Sequence, residues 1–263
     1  MLHSFFSPSR PLVFAHRGGA GLAPENTLAA FDHGLALGAD GLELDVHLSR
    51  DGVVVVHHDR TLARTTDLEG AVAERTAAEL SAADAGFRYR RADGGFPFRG
   101  RGIGVPTLED VLIRYAKIPI IIELKVNTGE LARAVVDLVR KVGAVDRVCL
   151  GSFSLGVLRA ARRFDPAIAT SASREETRWA LYRSRLRWPM RLPPYGGFQV
   201  PEWSGTTRVV SPRFIDVAHR ARLGVQVWTV DTEIDAERLL GWGVDALITD
   251  RPDIIVPVCK RRL

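Results

Sequence analysis

Residues 41–59, GLELDVHLSRDGVVVVHHD, decide how this chain folds and where its chemistry lies. In the first half the leucine and valine side chains point to one face of a strand, while Glu43, Asp45 and His47 point to the other. An Asp-Gly turn signal and a short apolar run then lead to two adjacent histidines. Such a hydrophobic strand is not an edge strand, so its polar face must look into a site. We therefore expect carboxylates and imidazoles at one end of a buried sheet.

Short apolar runs alternate with helical patterns along the rest of the chain. We predict strands at residues 11–15, 41–48, 118–125, 147–152, 167–172, 198–200, 225–230 and 246–249. Helical patterns follow most of them, at 28–35, from 107 onward, and at 131–142, 155–163, 214–223 and 235–242. This alternation predicts an α/β fold, a (β/α)8 TIM barrel. An open doubly wound sheet is the structural alternative, because periodicity does not show whether the sheet closes.

Residues 59–106 interrupt the alternation. The stretch GGFPFRGRGIG is too rich in glycine for a helix or a strand, although 76–84 can form a helical turn or two. We interpret this region as a small insertion after the second strand, lying over the catalytic end of the barrel. The chain, residues 1–263, is then a single barrel domain rather than two cores.

Composition excludes several classes of protein. Of the 263 residues 46% are hydrophobic and 25% are charged, which is typical of a soluble globular chain. No apolar run approaches the ~20 residues of a membrane span, and the first residues lack a secretory signal pattern. We therefore predict a cytoplasmic protein. Two distant cysteines indicate neither a disulfide framework nor a zinc knuckle.

Arginine supplies most of the positive charge of the chain. The net charge is +5, carried by 32 arginines against 4 lysines, and we interpret most of it as solvated surface, with some arginines serving anionic ligands. No nucleic-acid-binding motif accompanies it, so we predict no nucleic-acid partner.

Residues 174–191 hold six arginines and two tryptophans. They form either a covering helix plus loop or a basic, aromatic lip that makes weak contact with an anionic membrane surface. The sequence gives no indication of the oligomeric state.

In a barrel of this kind the active site lies at the carboxyl ends of the strands. The predicted strand ends supply a set of polar and aromatic side chains: His16, Arg17, Glu43, Asp45, Glu123, Lys125 and Trp228. Three acids in a partly dry space repel one another, and a divalent cation would remove that cost. Oxygen ligands without cysteine favour a hard ion, Ca²⁺ or Mg²⁺. The two added cations suggest an anionic substrate, most simply a phosphate ester.

The chain closely resembles the glycerophosphodiester phosphodiesterase family in six motifs. They occur in the order HRGGAGLAPENTLAAF, GLELDVHLSRDGVVVVHHDRTLARTT, VPTLEDVL, IIELK, VQVWTVD and GVDALITDRPD. The resemblance runs from about residue 13 to residue 252. The resemblance implies a (β/α)8 barrel that hydrolyses glycerophosphodiesters, such as glycerophosphocholine or glycerophosphoethanolamine, to sn-glycerol 3-phosphate and an alcohol. It also implies a divalent cation, without choosing Ca²⁺ or Mg²⁺.

The resemblance assigns roles to the matched residues. His16 and His58 become the general acid/base pair, which suits cleavage of a P–O bond because two imidazoles can hold opposite protonation states near neutral pH. The other matched residues bind metal or substrate: Glu43, Asp45 and Glu123 as metal ligands, Arg17 and Lys125 as phosphate contacts, and Trp228 in the pocket wall. The doublet His57-His58 departs from the usual single histidine, and the motif register selects His58.

Each assignment has a structural alternative. His16 could be a buried hydrogen-bonding histidine, and Glu43 and Asp45 could pair with arginines. Glu123 and Lys125 could simply pair with each other.

Several neighbouring polar residues are interpreted as outside the catalytic set. We expect His47 to support the site or lie at its rim. We expect residues 25–27, Glu-Asn-Thr, to serve the loop and the start of the helix, and Asp250 to be structural.

Two other functions stay open from the sequence. A lysophospholipase D-type hydrolase would use the same residues with an acyl chain in the pocket. The other alternative is a non-catalytic phosphodiester-binding barrel. The two histidines argue against it, because binding alone does not require an acid and a base.

Overall fold

The computed structural model describes residues 4–186, 188 and 193–261. Its strands are β1 Leu12–His16, β2 Gly41–Leu48, β3 Val54–Val56, β4 Ile120–Leu124, β5 Val148–Gly151, β6 Ala169–Thr170, β7 Gly197–Pro201, β8 Trp203–Ser204, β9 Thr207–Arg208, β10 Gly224–Trp228 and β11 Ala246–Thr249. Its α-helices are α1 Leu28–Ala36, α2 Ala77–Ala82, α3 Leu108–Arg114, α4 Gly129–Lys141, α5 Leu155–Phe164, α6 Arg174–Leu186, α7 Pro212–Arg220, α8 Glu233–Trp242 and α9 Pro252–Lys260. Short 3₁₀ turns lie at Ser4–Phe6, Val72–Glu74 and Val145–Arg147.

Eight parallel strands form a nearly closed barrel. Their order around the sheet is β6-β5-β4-β2-β1-β11-β10-β7, and a parallel bridge from Ser171 to Gly197 brings the first strand of this path against the last. Helices follow the strands on the outside, as the (β/α)8 prediction requires. The predicted barrel is therefore confirmed, and the open doubly wound alternative is wrong. β3 pairs antiparallel with β2, and β8 with β9 forms a small separate hairpin.

The helices begin where short hydroxyl side chains can cap them. Thr27, Thr107, Thr128, Ser211 and Thr232 each accept a hydrogen bond from the backbone N–H three residues on. These caps satisfy backbone donors that the first turn leaves without partners.

The alternation predicted for β2 holds in the structure. Leu42, Leu44 and Val46 are fully buried in the main hydrophobic cluster, where they pack with residues of the surrounding helices. Glu43 and Asp45 lie between them in sequence and therefore face the inside of the barrel. The outer apolar face holds the sheet against the helices, which leaves the inner face for polar side chains.

Aromatic side chains fill the amino end of the barrel. Phe5 and Phe6 from the first 3₁₀ turn pack with Phe14 of β1, the ring centroids of Phe5 lying 5.6 Å from Phe6 and 5.8 Å from Phe14. The Phe6 ring sits so close to the start of β7 that a Cβ on Gly197 would lie 2.4 Å from it. Glycine at that strand start therefore makes room for the aromatic plug.

Residues 57–107 connect β3 to α3. They contain α2 and a small hydrophobic cluster around Leu62, Val72 and Leu80. The hydroxyl of Tyr89 donates to the carbonyl of Gly21, 3.2 Å away, in the loop that follows β1. This region therefore contacts the carboxyl end of the barrel.

The observed elements differ from the predicted ones at several places. The strand predicted at 167–172 is shorter, although the amides of Ser171 and Ala172 still donate to Leu150 and Gly197. α9 and the β8–β9 hairpin were not predicted. None of the helices within the described ranges has the length and hydrophobicity needed to cross a bilayer.

Candidate active site at the carboxyl end of the barrel

Strand register sets the positions of the central side chains. His16, the last residue of β1, is level with Glu43 on β2, and Asp45 is level with Glu123 on β4. Side chains two apart on a strand share a face, so Glu43 and Asp45 both point inward. Four residues that are distant in sequence therefore meet at one end of the barrel.

Three carboxylates form a cluster there. Glu43, Asp45 and Glu123 each offer an oxygen, and these oxygens all lie within 4.8 Å of one another. Asp45 is fully buried and Glu43 nearly so. Burial and the charge of Asp45 raise the pKa of Glu43 well above its ordinary value. Burial likewise raises the pKa of Glu123, against the opposing charge of Lys125. Both carboxyl groups are therefore easier to protonate here than in water.

Two cations lie against this cluster. The Lys125 ammonium is 2.8 Å from an oxygen of Asp45 and 3.1 Å from one of Glu123. Arg17 brings its Nε to 3.3 Å from Asp45, and its backbone N–H donates to Glu43 across 3.1 Å. Burial would raise the pKa of Asp45, but the charges of Lys125 and Arg17 outweigh it and lower that pKa.

The carboxylate set fits a divalent cation. Hard cations prefer oxygen ligands, and all three donors here are carboxylates. Asp45 Oδ1 is buried, and the Lys125 ammonium lies 2.8 Å from it. Three neighbouring carboxylates, two of them buried, are costly unless positive charge balances them, and a divalent cation would add to the charge that Lys125 supplies.

His16 is held by a carboxylate on each side of its ring. Nδ1 donates to Asp250, 2.7 Å away, and Nε2 is 3.8 Å from Glu43. Burial alone would lower the pKa of His16, but the charges of Glu43 and Asp250 raise it to about 9. The bond to Asp250 fixes the ring and leaves Nε2 toward the carboxylate cluster.

His58 is held in a similar way. Its Nδ1 donates to Asp59 across 2.7 Å, and its backbone carbonyl accepts from Nε2 of His47, which is 3.1 Å away and buried. The ring nitrogens of its neighbour His57 instead contact the backbone carbonyl of Asp59 and the hydroxyl of Thr65. Of the doublet, only His58 lines the cavity described below.

Three residues of the site network were missed by the sequence prediction. Asp250 was interpreted as structural, yet it holds His16. Glu25 pairs with Arg17 at 3.0 Å and also with Arg64. Asn26 donates to Asp45 across 2.8 Å. Within residues 25–27, Thr27 acts as the predicted cap of α1. Glu25 and Asn26 lie in the same motif as His16, and Asp250 lies in the last motif, directly after β11. This placement was the signal that the sequence prediction did not use.

The backbone of the first loop is adapted to these contacts. Arg17 and Asn26 both have left-handed backbones, with φ of 52° and 59°. Asparagine tolerates that conformation better than most residues, and here its amide also reaches Asp45. At Gly18 a Cβ would lie 2.7 Å from the backbone of α1, so glycine lets the loop pass close to the helix.

A cavity of about 640 Å³ opens over the carboxylate cluster. Most of the predicted site residues line it: His16, Arg17, Glu43, His58, Glu123, Lys125 and Trp228. Asp45 lies beneath its surface, with no exposed area. Trp228 stands at the end of β10, with its ring edge-to-face against Phe153 at 5.8 Å. The cavity continues from this cluster toward α6.

Comparison with known proteins gives consistent matches over nearly the whole chain. The model of the glycerophosphoryl diester phosphodiesterase family matches residues 16–254. A glycerophosphodiester phosphodiesterase of Caldanaerobacter subterraneus is 30% identical over 259 residues, covering 96% of this chain and 99% of the relative. One from Bacillus altitudinis is 31% identical over 252 residues, covering 94% and 97%.

Solved structures agree with these sequence matches. The glycerophosphoryl diester phosphodiesterase domain of an uncharacterized Mycobacterium tuberculosis protein superposes with a TM-score of 0.83 at 26% identity, covering 96% of this chain and all of that domain. A phosphodiesterase of Oleispira antarctica, solved with the product sn-glycerol-3-phosphate, has a TM-score of 0.75 at 28% identity, with 95% and 97% coverage.

Proposed function

The chain belongs to the glycerophosphoryl diester phosphodiesterase family, and on that premise we propose that it hydrolyses glycerophosphodiesters to sn-glycerol 3-phosphate and an alcohol. One observation carries the proposal. Two histidines, each held at Nδ1 by a carboxylate, line the same cavity as the acidic cluster. The Oleispira antarctica phosphodiesterase was solved with sn-glycerol-3-phosphate, and this supports glycerol phosphate as one half of the substrate proposed here.

The acid and the base are His16 and His58. Cleavage of a P–O bond needs a base for the attacking oxygen and an acid for the departing alkoxide. Because Nδ1 of each ring donates to an aspartate, Nε2 is the nitrogen that accepts or gives the proton. Asp250 and Asp59 orient the two rings.

Glu43, Asp45 and Glu123 hold a divalent cation, Ca²⁺ or Mg²⁺. Their mutual proximity and the burial of Glu43 and Asp45 support this assignment. When bound, the ion supplies positive charge that stabilises the non-bridging oxygens of the phosphate. Arg17 and Lys125 contact the same phosphate, as their positions at the cavity wall suggest. Trp228 forms part of the wall against which the substrate packs.

A direct assay tests the proposed function. Purified full-length protein is incubated with glycerophosphocholine and either Ca²⁺ or Mg²⁺, and released sn-glycerol 3-phosphate is measured. We expect turnover with at least one ion. Absence of the product with both ions, for this and other glycerophosphodiesters, would contradict the proposal.

A lysophospholipase D-type activity is a second candidate. Phe153, Leu181 and Tyr182 give the cavity an apolar wall that could accept an acyl chain. Comparing turnover of lysophosphatidylcholine with that of glycerophosphocholine separates the two activities. Faster cleavage of the lysolipid would favour this second candidate.

Three further assignments are part of the proposal. The chain is one barrel domain, with residues 59–106 inserted at its catalytic end, as the contact of Tyr89 with the first loop supports. The exposed Trp179 and Trp188 support weak contact of residues 174–191 with a membrane surface. Residues 187 and 189–191 of that segment lie outside the described residues. The cytoplasmic location stays a prediction.

A further inference from the structure

The cavity reaches well beyond the carboxylate cluster. Its far part, which we term the distal cavity, is lined by α6 on one side and by the β8–β9 hairpin on the other. Among the described residues, the carboxylates that line the cavity are Glu43 and Glu123, and both lie at the catalytic end. The distal cavity is therefore lined by neutral and positively charged side chains.

One face of α6 forms the wall of the distal cavity. Six of its residues line the cavity, and they recur at helical spacing: Arg174, Thr177, Arg178, Leu181, Tyr182 and Arg185. Arg174 lies nearest the catalytic end, where its guanidinium is 5.1 Å from the centre of the Phe153 ring. Eleven residues at a rise of about 1.5 Å place Arg185 roughly 16 Å further along the helix.

These three arginines carry charge that the described part of the chain does not neutralise. The acidic residues of α6 are elsewhere, since Glu176 binds Arg162 at 2.7 Å and Glu175 does not line the cavity. Among residues 4–186, 188 and 193–261, no carboxylate lies within ion-pair distance of any of the three. At the catalytic end, by contrast, Arg17 and Lys125 are paired with carboxylates.

The opposite wall adds no compensating charge. Pro201, Ser204, Thr207 and Val209 line it, all neutral. A cationic group entering here would face three guanidinium groups, whereas an anion would gain charge-assisted hydrogen bonds. Phosphate is the anion that suits guanidinium best, because each guanidinium can bind two of its oxygens in one plane.

We propose that the distal cavity binds a second phosphate, carried by the alcohol half of the substrate. This inference rests on the proposed function and names its substrate class: glycerophosphodiesters whose leaving alcohol itself bears a phosphate or phosphodiester. Bis(glycerophospho)glycerol belongs to this class. Glycerophosphoglycerol has the same scissile group with a neutral leaving alcohol, and glycerophosphocholine has a cationic one.

Steady-state kinetics with these three diesters test the proposal. The full-length protein with its divalent cation is assayed at low and at physiological salt, with sn-glycerol 3-phosphate as the common product. We expect kcat/KM for bis(glycerophospho)glycerol to exceed that for glycerophosphoglycerol by about 10-fold at low salt, and less at high salt. Glycerophosphocholine should be the poorest of the three.

Two variants show whether the arginines cause the preference. In the double variant Arg178→Ser with Arg185→Ser, the ratio of kcat/KM for bis(glycerophospho)glycerol to kcat/KM for glycerophosphoglycerol should fall to about 2 or less. The variant Arg178→Lys should retain part of the wild-type ratio. Arg163→Ser is the matched control, because Arg163 is exposed at the end of α5 that leads to the amino end of the barrel. It should leave the ratio unchanged.

The outcomes separate the subsite from the activity. Turnover of glycerophosphoglycerol with a ratio near 1, or a ratio that survives the double variant, would overturn the phosphate site and leave the proposed function standing. Faster turnover of lysophosphatidylglycerol than of all three diesters would show that the distal cavity takes an acyl chain instead. No hydrolysis of any diester would overturn both.

Discussion

The two ends of the barrel interior differ in what fills them. At the amino end, Phe5, Phe6 and Phe14 pack into a closed aromatic plug. At the carboxyl end, charged side chains surround an open cavity, and several of them are buried. Burying carboxylates close together costs free energy, whereas burying aromatic rings stabilises the fold. The chain thus gains stability at one end and keeps the other for chemistry.

This comparison predicts that substitutions at the two ends will have different effects. Changes at the charged end should alter turnover and leave the fold intact. Changes at the aromatic end should alter the free energy of unfolding and leave the turnover of each folded molecule intact. Four predictions test this separation.

The largest effect is expected at the charged end. His16→Ala and His58→Ala should each lower kcat by about 10²- to 10⁴-fold, because each removes the proposed acid or base. Thermal unfolding should change little. His33→Ala is the matched control, since His33 is exposed on α1. Near-normal kcat in either variant would exclude the role assigned to that histidine.

The aromatic end should respond in the opposite way. Phe6 is 1% exposed, so Phe6→Ala should lower the free energy of unfolding by about 3–5 kcal/mol through lost burial and a cavity. Denaturant titration measures this loss, and kcat per folded molecule should be unchanged below the transition. A large fall in kcat without a loss of stability would break the proposed division between the ends.

A smaller effect on turnover is expected where a residue acts through His16. Asp250→Asn keeps the shape of the side chain but removes the charge that orients Nδ1, so kcat should fall by about 10- to 100-fold with little change in KM. Asp253→Asn is the control, since Asp253 pairs with Arg251 two residues away. If both variants behave alike, Asp250 does not position the catalytic histidine.

The smallest effect concerns the rim of the charged end. Trp179 and Trp188 are 67% and 61% exposed, so replacing both with Ala should weaken binding to anionic vesicles by about 3- to 10-fold while a soluble diester is still turned over. Ile113→Ala is the control, 60% exposed on α3, whose last turn leads to the amino end of the barrel. Unchanged vesicle binding would reject membrane contact.

Local patterns predicted most of the fold. The alternation in β2 and the apolar runs of the other strands were enough for the (β/α)8 barrel, which the strand order confirms. The relatives named glycerophosphodiester phosphodiesterase confirm that the chain is an enzyme of this class, which sets aside the non-catalytic barrel. The fold and the enzyme class follow from short-range periodicity and from the order of motifs, both of which can be read directly from a sequence.

Contacts between distant segments were not predictable in the same way. Asp250 meets His16 across 234 positions, and nothing local to either residue indicates the pairing. Phe5 and Phe6 precede the first strand and look like a short apolar tail, yet they close the barrel. The face that α6 turns toward the cavity depends on how the helix packs, so its three arginines could not be separated from the surface charge around them.

The divalent cation at the charged end is the central claim. The most direct test measures phosphodiesterase turnover of protein stripped of metal with a chelator, before and after return of Ca²⁺ or Mg²⁺. We expect turnover to vanish and to be restored by one of the ions in the wild-type protein, but not in Glu123→Gln. Full turnover of the stripped protein would contradict the account.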